Sequence, residues 1–123
     1  MQAIITVIIP AYNEQDSIAN VVNDIPEIVN EIIVINNNST DNTAMNAKNA
    51  GATVLYESRK GYGYACLKGL DYIEEQKAKP EIVVFLDGDY SDYPAQLTEL
   101  ISPIITKNID FVLGARVKEQ REL

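Results

Sequence analysis

The chain has 123 residues, of which 46% are hydrophobic and 23% charged, and its formal net charge is −8 at pH 7. This length and composition indicate a single globular domain and exclude a disordered segment. The acidic balance argues against a nucleic-acid partner, because phosphate backbones are bound by basic surfaces.

The apolar residues predict strands and helices that alternate along the chain. Five apolar runs have the length and composition of strands, and they lie at residues 4–9, 31–35, 53–56, 81–86 and 109–113. Helical spacing begins near residue 16 or 17, near residue 42, after Gly63 and at Pro94. We expect Pro10 to end the first strand, Pro26 to end the first helix and Gly51 to follow the second helix.

The third helix is expected to bury one side, formed by Cys66, Leu67, Leu70 and Ile73. Regular alternation of strands and helices predicts an α/β fold: a mainly parallel, Rossmann-like sheet with helices on both faces. Right-handed crossovers would place the loops that follow the strands at one edge of the sheet. These loops carry the polar residues, at positions 12–14, 36–41, 59–63 and 87–92. The sequence therefore predicts a single polar crevice.

Two carboxylates, Asp87 and Asp89, follow the most apolar of the predicted strands and are separated only by Gly88. Ligands of open α/β sheets bind at the carboxyl ends of strands. Two acids this close repel each other unless a cation lies beside them, and oxygen ligands suit Mg²⁺ or Mn²⁺. Mg²⁺ is commonly held by one or two carboxylates together with substrate phosphates. The pair therefore indicates a metal–diphosphate site.

Other interpretations of the acid pair stay open. The segment could be an acidic turn after a strand, because Asp and Gly are ordinary turn residues. A Ca²⁺ loop fits less well, since Asp92 stands where glycine is needed and Thr98 where glutamate is needed. A phosphatase with an aspartate nucleophile at the strand end is the stronger alternative, although it would need a downstream lysine.

Five motifs along the chain resemble the family-2 glycosyltransferases of the GT-A fold. They are residues 7–14 (Val-Ile-Ile-Pro-Ala-Tyr-Asn-Glu), residues 38–43 (Asn-Ser-Thr-Asp-Asn-Thr), the small residues at 61, 63, 65 and 69, residues 85–89 (Phe-Leu-Asp-Gly-Asp) and residues 114–116 (Gly-Ala-Arg). The subgroup most similar to this chain is the polyprenyl-phosphate sugar transferases, of the dolichyl-phosphate type. The resemblance covers nearly the whole chain.

The resemblance implies a nucleotide-sugar donor, UDP- or GDP-linked, and a divalent cation. It implies that Asp89 is the principal metal ligand and that Asp87 faces both the metal and the ribose. It places Glu14 near the base or ribose. The nucleotide-binding residues that it implies are Pro10, Tyr12, Glu14, Asn36, Asn37, Lys60, Gly61, Asp87, Gly88 and Arg116.

Structural explanations of several of these residues stay open. Tyr12 could pack over the first crossover, and Gly61 could serve only a tight turn. Arg59, Lys60 and Arg116, which would add positive charge around a diphosphate, could equally be solvated surface charges. A dinucleotide-binding dehydrogenase is disfavoured, because Cys66 stands where the third glycine of that fingerprint belongs.

The sequence departs from the family pattern at two places. Asn36 and Asn37 stand where many relatives carry an acid pair, one member of which accepts a hydrogen bond from uracil. An amide can accept the same bond and can also donate, so the uridine assignment weakens. The chain also stops at Leu123, soon after Arg116. We therefore expect a single nucleotide-sugar-binding domain over residues 1–123, truncated at its C-terminus and lacking the acceptor-binding portion.

The expected reaction is metal-dependent, inverting transfer of a sugar from a nucleotide sugar, with a polyprenyl phosphate as candidate acceptor. The chain has no histidine, and no catalytic base is identified; the base is expected beyond Leu123. This chain could bind the donor without turning it over, and a non-catalytic nucleotide-binding module is the alternative. A nucleotidyltransferase should open with a glycine-rich basic loop, which is not present here. Self-association into a homo-oligomer is left open.

Cellular location is indicated by weaker signals. A single cysteine, Cys66, excludes an internal disulfide and fits a reducing compartment. The N-terminus lacks the basic region of a signal peptide, and no apolar window approaches the length of a membrane span. We expect a cytoplasmic domain, with membrane association of the full-length protein left open.

Overall fold

A computed structural model of the chain describes residues 3–89. Within this range, strands and helices alternate as predicted. The strands are β1 (Ile5–Ala11), β2 (Glu31–Asn36), β3 (Thr53–Tyr56) and β4 (Ile82–Phe85), and the helices are α1 (Ile18–Asp24), α2 (Thr43–Asn49) and α3 (Tyr62–Glu75). The predicted helix after Pro94, the predicted strand at 109–113 and Arg116 lie outside the described residues. No helix within residues 3–89 has both the length and the apolar character needed to span a membrane.

The four strands form one parallel sheet in the order β3-β2-β1-β4. From β1 the chain moves to β2 and then to β3, and it then crosses back beyond β1 to form β4. Because such connections are right-handed, α1 and α2 cover one face of the sheet and α3 covers the other. The contacts agree, since α1 packs on α2 whereas α3 packs on β1 and β2. The predicted α/β architecture is confirmed.

The core consists mainly of aliphatic side chains from β1, β2 and β4. Both faces of β1 and β4 are buried, which is why these segments are continuously apolar instead of alternating with polar residues. On the α3 side the packing is close, because a Cβ atom added at Gly69 would lie 2.8 Å from Ile8 Cδ1. A larger residue than glycine would therefore force α3 away from the sheet.

Pro10 lies inside β1, so the prediction that it ends the strand is wrong. The Ile8 carbonyl accepts a hydrogen bond from the Leu86 amide (3.0 Å), whereas the Ala11 carbonyl accepts one from the Asn37 amide (2.9 Å). Even-numbered residues of β1 therefore direct their backbone polar groups toward β4, and odd-numbered residues direct theirs toward β2. Proline lacks the amide that would bond to β4, and the β1–β4 pairing ends at Ile8. The pairing with β2 continues to Ala11.

The buried side of α3 also differs from the prediction. Ala65, Gly69 and Ile73 are buried at intervals of four residues, whereas Leu67 is 50% exposed. Cys66 and Leu70 lie at the edge of the buried side and are half-buried. The prediction chose the larger apolar residues, but the close approach of α3 to the sheet requires the smallest residues at the point of contact.

Candidate functional site

A cleft of about 280 Å³ opens at the carboxyl end of the sheet, where β1 and β4 lie side by side. The chain reverses its direction across the sheet between these two strands, and open α/β sheets bind ligands at such positions. We call this space the β1–β4 cleft. It is lined by Pro10, Ala11, Tyr12, Glu14, Asn37, Tyr62, Asp87, Gly88 and Asp89.

The loop between β1 and α1 is held by the loop between β2 and α2. The Asn13 amide donates to Ser39 Oγ (2.9 Å), and the Glu14 amide donates to Thr43 Oγ1 (2.8 Å). Asn13 adopts a positive φ of 51°, a conformation that asparagine tolerates better than most residues. These contacts hold the backbone that leads into Glu14, while Tyr12 remains 56% exposed at the cleft.

Asp41 organises the same pair of loops from the other side. Its Oδ1 accepts hydrogen bonds from the Thr43 amide (3.0 Å) and from the Thr43 hydroxyl, and its Oδ2 accepts one from the Gln15 amide (3.3 Å). Burial tends to raise the pKa of Asp41, but these hydrogen bonds outweigh it and lower the pKa. The run at residues 38–43 therefore supports the loop between β1 and α1.

Asn37 joins the end of β2 to the loop between β3 and α3. Its Nδ2 donates to the Glu57 carbonyl (2.8 Å) and to the Arg59 carbonyl (2.7 Å), and its Oδ1 accepts from the Gly61 amide (3.1 Å). Both amide hydrogens are thus used, at a residue that is only 8% exposed. The neighbouring Asn36 accepts a hydrogen bond from the Ser39 amide (3.0 Å) and does not line the cleft.

In the loop between β3 and α3, the guanidinium of Arg59 pairs with the buried carboxylate of Glu57. Arg59 Nε lies 3.0 Å from Glu57 Oε2, and Arg59 Nη2 donates to Glu57 Oε1 at 3.1 Å. Hydrogen bonds from the Arg59 side chain, and then from its amide, lower the pKa of Glu57 to about 2. The guanidinium also lies 4.4 Å from the centre of the Tyr64 ring. Lys60 and Gly61 are exposed and do not line the cleft.

The acidic loop after β4 is packed against the end of β1 and the start of α1. Gly88 is buried between the half-buried Asp87 and the exposed Asp89. A Cβ atom added at Gly88 would lie 3.2 Å from Ala11 Cβ and 3.3 Å from Ile18 Cδ1. A side chain at position 88 would crowd Ala11 and Ile18, so glycine allows the loop that carries Asp87 and Asp89 to lie against β1 and α1.

The negative charge of this loop affects the loop after β1. The pKa of Glu14 is raised first by burial and then by the charge of Asp89, with smaller contributions from Asp41 and Asp87, and the nearby Ser17 hydroxyl only partly offsets these effects. Acidic groups from three loops thus share one electrostatic environment. Within residues 3–89, no three His, Cys, Asp or Glu side chains are grouped so as to hold a metal ion. Mg²⁺ is commonly held by one or two carboxylates, with its other positions filled by water and substrate phosphates.

Most of the sequence-predicted site residues lie together. Seven of them line the β1–β4 cleft: Pro10, Tyr12, Glu14, Asn37, Asp87, Gly88 and Asp89. Asn36, Lys60 and Gly61 are outside the lining, and Arg116 lies outside the described residues. The individual roles of all these residues stay predictions.

Sequence reasoning missed Ala11 and Tyr62, which also line the cleft. Tyr62 follows Gly61, whose φ of 123° turns the chain into α3. A polar loop that ends in glycine just before a helix was the available signal for this residue. Ala11 could have been found only from the continuation of β1 past Pro10.

The family model described as Glycosyl transferase family 2 matches residues 6–123. The chain belongs to glycosyl transferase family 2. Protein RfbJ of Shigella flexneri is 38% identical to it over 114 residues, which are 91% of this chain and 84% of RfbJ. A second relative is similar over most of the chain. UDP-N-acetylglucosamine–dolichyl-phosphate N-acetylglucosaminyltransferase of Methanococcus voltae is 32% identical over 138 residues, with 97% of this chain and 54% of the relative covered.

Solved structures are also similar to this chain. Glucosyl-3-phosphoglycerate synthase from Mycobacterium tuberculosis, in complex with Mn²⁺, UDP and glucosyl-3-phosphoglycerate, superposes with a TM-score of 0.72 and 31% identity, covering 85% of this chain and 40% of that one. The same enzyme has been solved with Mg²⁺ and UDP. The GT-A fold is thereby confirmed. This chain covers 84% of the length of RfbJ, but only 54% of the Methanococcus voltae enzyme and 40% of the M. tuberculosis enzyme.

Proposed function

We propose that this chain binds a nucleotide sugar and a divalent cation in the β1–β4 cleft, and that the protein transfers the sugar with inversion at the anomeric carbon. The observation that carries the proposal is the convergence of three loops on one cleft. Glu14 comes from the loop after β1, Asn37 from the loop after β2, and Asp87 and Asp89 from the loop after β4. Residues from two widely separated motifs of a glycosyltransferase family thus meet at one position, together with Asn37, which directly precedes a third motif.

The cleft offers distinct surfaces for the two ends of a nucleoside diphosphate. Tyr12 presents an exposed aromatic ring, which suits a base or ribose, and Glu14 can accept hydrogen bonds from ribose hydroxyls. Asp87 and Asp89 lie at the acidic end, where a bare diphosphate would be repelled. We propose that the nucleoside contacts the β1 loop and that the diphosphate lies toward the acidic loop.

A divalent cation fits this arrangement on chemical grounds. The donor set consists of carboxylate oxygens, which Mg²⁺ and Mn²⁺ prefer. After burial, the charge of Asp89 is the largest factor that raises the pKa of Glu14 across the cleft. Asp89 and Asp87 would hold the cation, which when bound supplies Lewis-acid stabilisation of the leaving diphosphate. Because residues 3–89 provide only these two carboxylates at the acidic end of the cleft, we expect metal and nucleotide to bind cooperatively.

We propose inversion because the carboxylates of the cleft are already assigned to nucleotide or metal binding. Retention through a covalent glycosyl intermediate would need a carboxylate nucleophile next to the anomeric carbon. Among the described residues, the lining offers Glu14, Asp87 and Asp89, and all three are assigned here to nucleotide or metal. A single displacement by the acceptor needs no such group.

The donor base and the acceptor are proposed from the relatives. UDP is the first candidate nucleotide, since the similar M. tuberculosis enzyme has been solved with it, and GDP is the second. A polyprenyl phosphate is the proposed acceptor class, because the Methanococcus voltae relative is named for a dolichyl-phosphate acceptor. We place the reaction in the cytoplasm, which suits the free thiol of Cys66.

Isothermal titration calorimetry tests the donor site directly. We expect UDP or GDP to bind to the chain with Mn²⁺ present, and to bind at least about tenfold more weakly with EDTA, a difference of about 1.4 kcal/mol. Replacing Asp89 by Asn should remove most of the metal-dependent gain while leaving the weak metal-free binding in place. Nucleotide binding of equal strength with Mn²⁺ and with EDTA would contradict the proposal.

Release of sugar from the donor separates a transferase from a module that only binds nucleotide. The wild-type chain, incubated with UDP-glucose or UDP-N-acetylglucosamine and Mn²⁺, should release UDP slowly to water, and faster when a short-chain polyprenyl phosphate is added. Asp89→Asn serves as the matched control. Tight binding without release under either condition would favour the binding module.

A further inference from the structure

Ser17 stands at the N-cap of α1 but does not cap that helix. An N-cap serine commonly accepts a hydrogen bond from a backbone amide of the first helical turn. Here the Ser17 side chain makes no such bond, and its Oγ instead lies 2.7 Å from the carbonyl oxygen of Gly88, a residue 71 positions away. The usual structural reason for a serine at this position is therefore missing.

The distances show which acceptor takes the hydroxyl proton. A serine hydroxyl has one hydrogen to donate, and three acceptors lie near it. The Gly88 carbonyl lies at 2.7 Å, Glu14 Oε2 at 3.3 Å and the Glu14 carbonyl at 3.5 Å. The first distance is the usual one for an O–H···O bond, whereas the other two are long. Ser17 therefore donates to Gly88.

This bond acts on the backbone that carries the acidic side chains. The carbonyl of Gly88 and the amide of Asp89 belong to one planar peptide unit, so the position of the oxygen fixes the direction in which the chain leaves toward Asp89. The other side of Gly88 is confined by Ala11, Ile18 and the Pro10 carbonyl, at 3.2 to 3.4 Å from an added Cβ. Packing thus limits where Gly88 can be, and Ser17 limits how its peptide plane is turned.

We propose that Ser17 is a positioning residue for the metal site, which sets the orientation of Asp89 through the carbonyl of Gly88. The inference rests on the proposed function, because it concerns the metal-dependent part of donor binding. A hexacoordinate Mg²⁺ or Mn²⁺ site tolerates little displacement of its ligands. Loss of the Ser17 bond should therefore weaken metal-assisted nucleotide binding more than it weakens nucleotide binding alone.

The sharpest test compares Ser17→Thr with Ser17→Val, because these side chains have nearly the same shape and differ in the hydroxyl. Affinity for UDP is measured by calorimetry with Mn²⁺ and with EDTA. We expect Ser17→Thr to keep the wild-type gain from Mn²⁺ and Ser17→Val to reduce that gain about tenfold, the effect of one hydrogen bond of about 1.4 kcal/mol. Affinity in EDTA should stay within about twofold for both variants.

A readout without metal or ligand supports the comparison. In the metal-free protein, the backbone amide of Asp89 should shift and exchange faster in Ser17→Val than in Ser17→Thr, as measured by ¹⁵N NMR and hydrogen exchange. Ser39→Ala is the matched control, since it removes a serine contact to the Asn13 amide (2.9 Å) instead of the contact to Gly88. It should leave the Asp89 amide unchanged.

The outcomes distinguish this inference from the function on which it rests. If the wild-type chain binds UDP equally well with Mn²⁺ and with EDTA, the proposed function fails and the role of Ser17 fails with it. If the wild-type chain depends on Mn²⁺ but Ser17→Val keeps the full gain, only the role of Ser17 is refuted. Equal loss of affinity in EDTA and in Mn²⁺ would show a general structural role and would also refute it.

Discussion

Replacement of Asn37 by Asp changes one atom group and should strongly destabilise the fold. Asn37 Nδ2 donates to the carbonyls of Glu57 and Arg59, at 2.8 and 2.7 Å. An ionised aspartate would present oxygen to both carbonyls, and a protonated one could donate to only one of them. Each buried group left without its partner costs about 1–3 kcal/mol. We therefore expect the free energy of unfolding to fall by about 2–4 kcal/mol, a large fraction of a typical domain's stability.

Urea unfolding of the purified chain at pH 7, followed by circular dichroism, measures this difference. The matched control is Asn36→Asp, one residue earlier. The Asn36 side chain accepts a hydrogen bond from the Ser39 amide, which a carboxylate can also accept, so this variant should lie within about 0.5 kcal/mol of wild type. The explanation is refuted if Asn37→Asp unfolds with the same free energy as Asn36→Asp.

Two further predictions concern stability. Hydrogen bonds from Arg59 lower the pKa of Glu57 in the folded protein from its usual 4.5 to about 2. Its ion pair with Arg59 therefore stabilises the fold fully above pH 4.5, and this contribution is lost as the pH falls toward 2. Glu57→Gln should be less stable than wild type at pH 6, and the gap measured by urea unfolding should narrow between pH 4.5 and 2; a constant gap would contradict this. Gly69→Ala should destabilise the fold by about 1–3 kcal/mol, because its Cβ would lie 2.8 Å from Ile8 Cδ1. A Cβ added at Gly63 would meet no atom within 4 Å, so Gly63→Ala should be neutral or stabilising by up to about 1 kcal/mol. Thermal unfolding compares the two, and equal melting temperatures would contradict the close approach of α3 to the sheet.

The sequence alone predicted the alternation of strands and helices within residues 3–89 and their assembly into a parallel sheet. Apolar runs separated by polar loops allow few other arrangements. It also predicted that the loops after all four strands would meet, because right-handed crossovers place these loops at one edge. The loops after β1, β2 and β4 do line one cleft, whereas Lys60 and Gly61 of the loop after β3 do not. The effect of Pro10 could not be foreseen in this way. Proline interrupts the pairing only with the neighbouring strand that its missing amide would face. At Pro10 that neighbour is β4, whose pairing with β1 ends at Ile8, while the pairing with β2 continues to Ala11.

The finer structure of the site depends on contacts between residues far apart in the chain. Nothing in the pattern around Ser17 indicates that its hydroxyl bonds to Gly88, and a serine before a helix is ordinarily predicted to be a cap. Likewise, Asn37 was predicted as a nucleotide-binding residue, whereas its amide also holds the β3–α3 loop. Such choices of partner depend on which carbonyls are left without donors, and that is decided only when the chain has folded.

Pro10 lies where the two strands beside the cleft stop pairing. Residue 10 has no amide hydrogen to donate toward β4, and the last residue of β4 that pairs with β1 is Phe85, opposite Ile8. Asp87 therefore lies past the end of the ladder, and it lines the cleft together with Pro10.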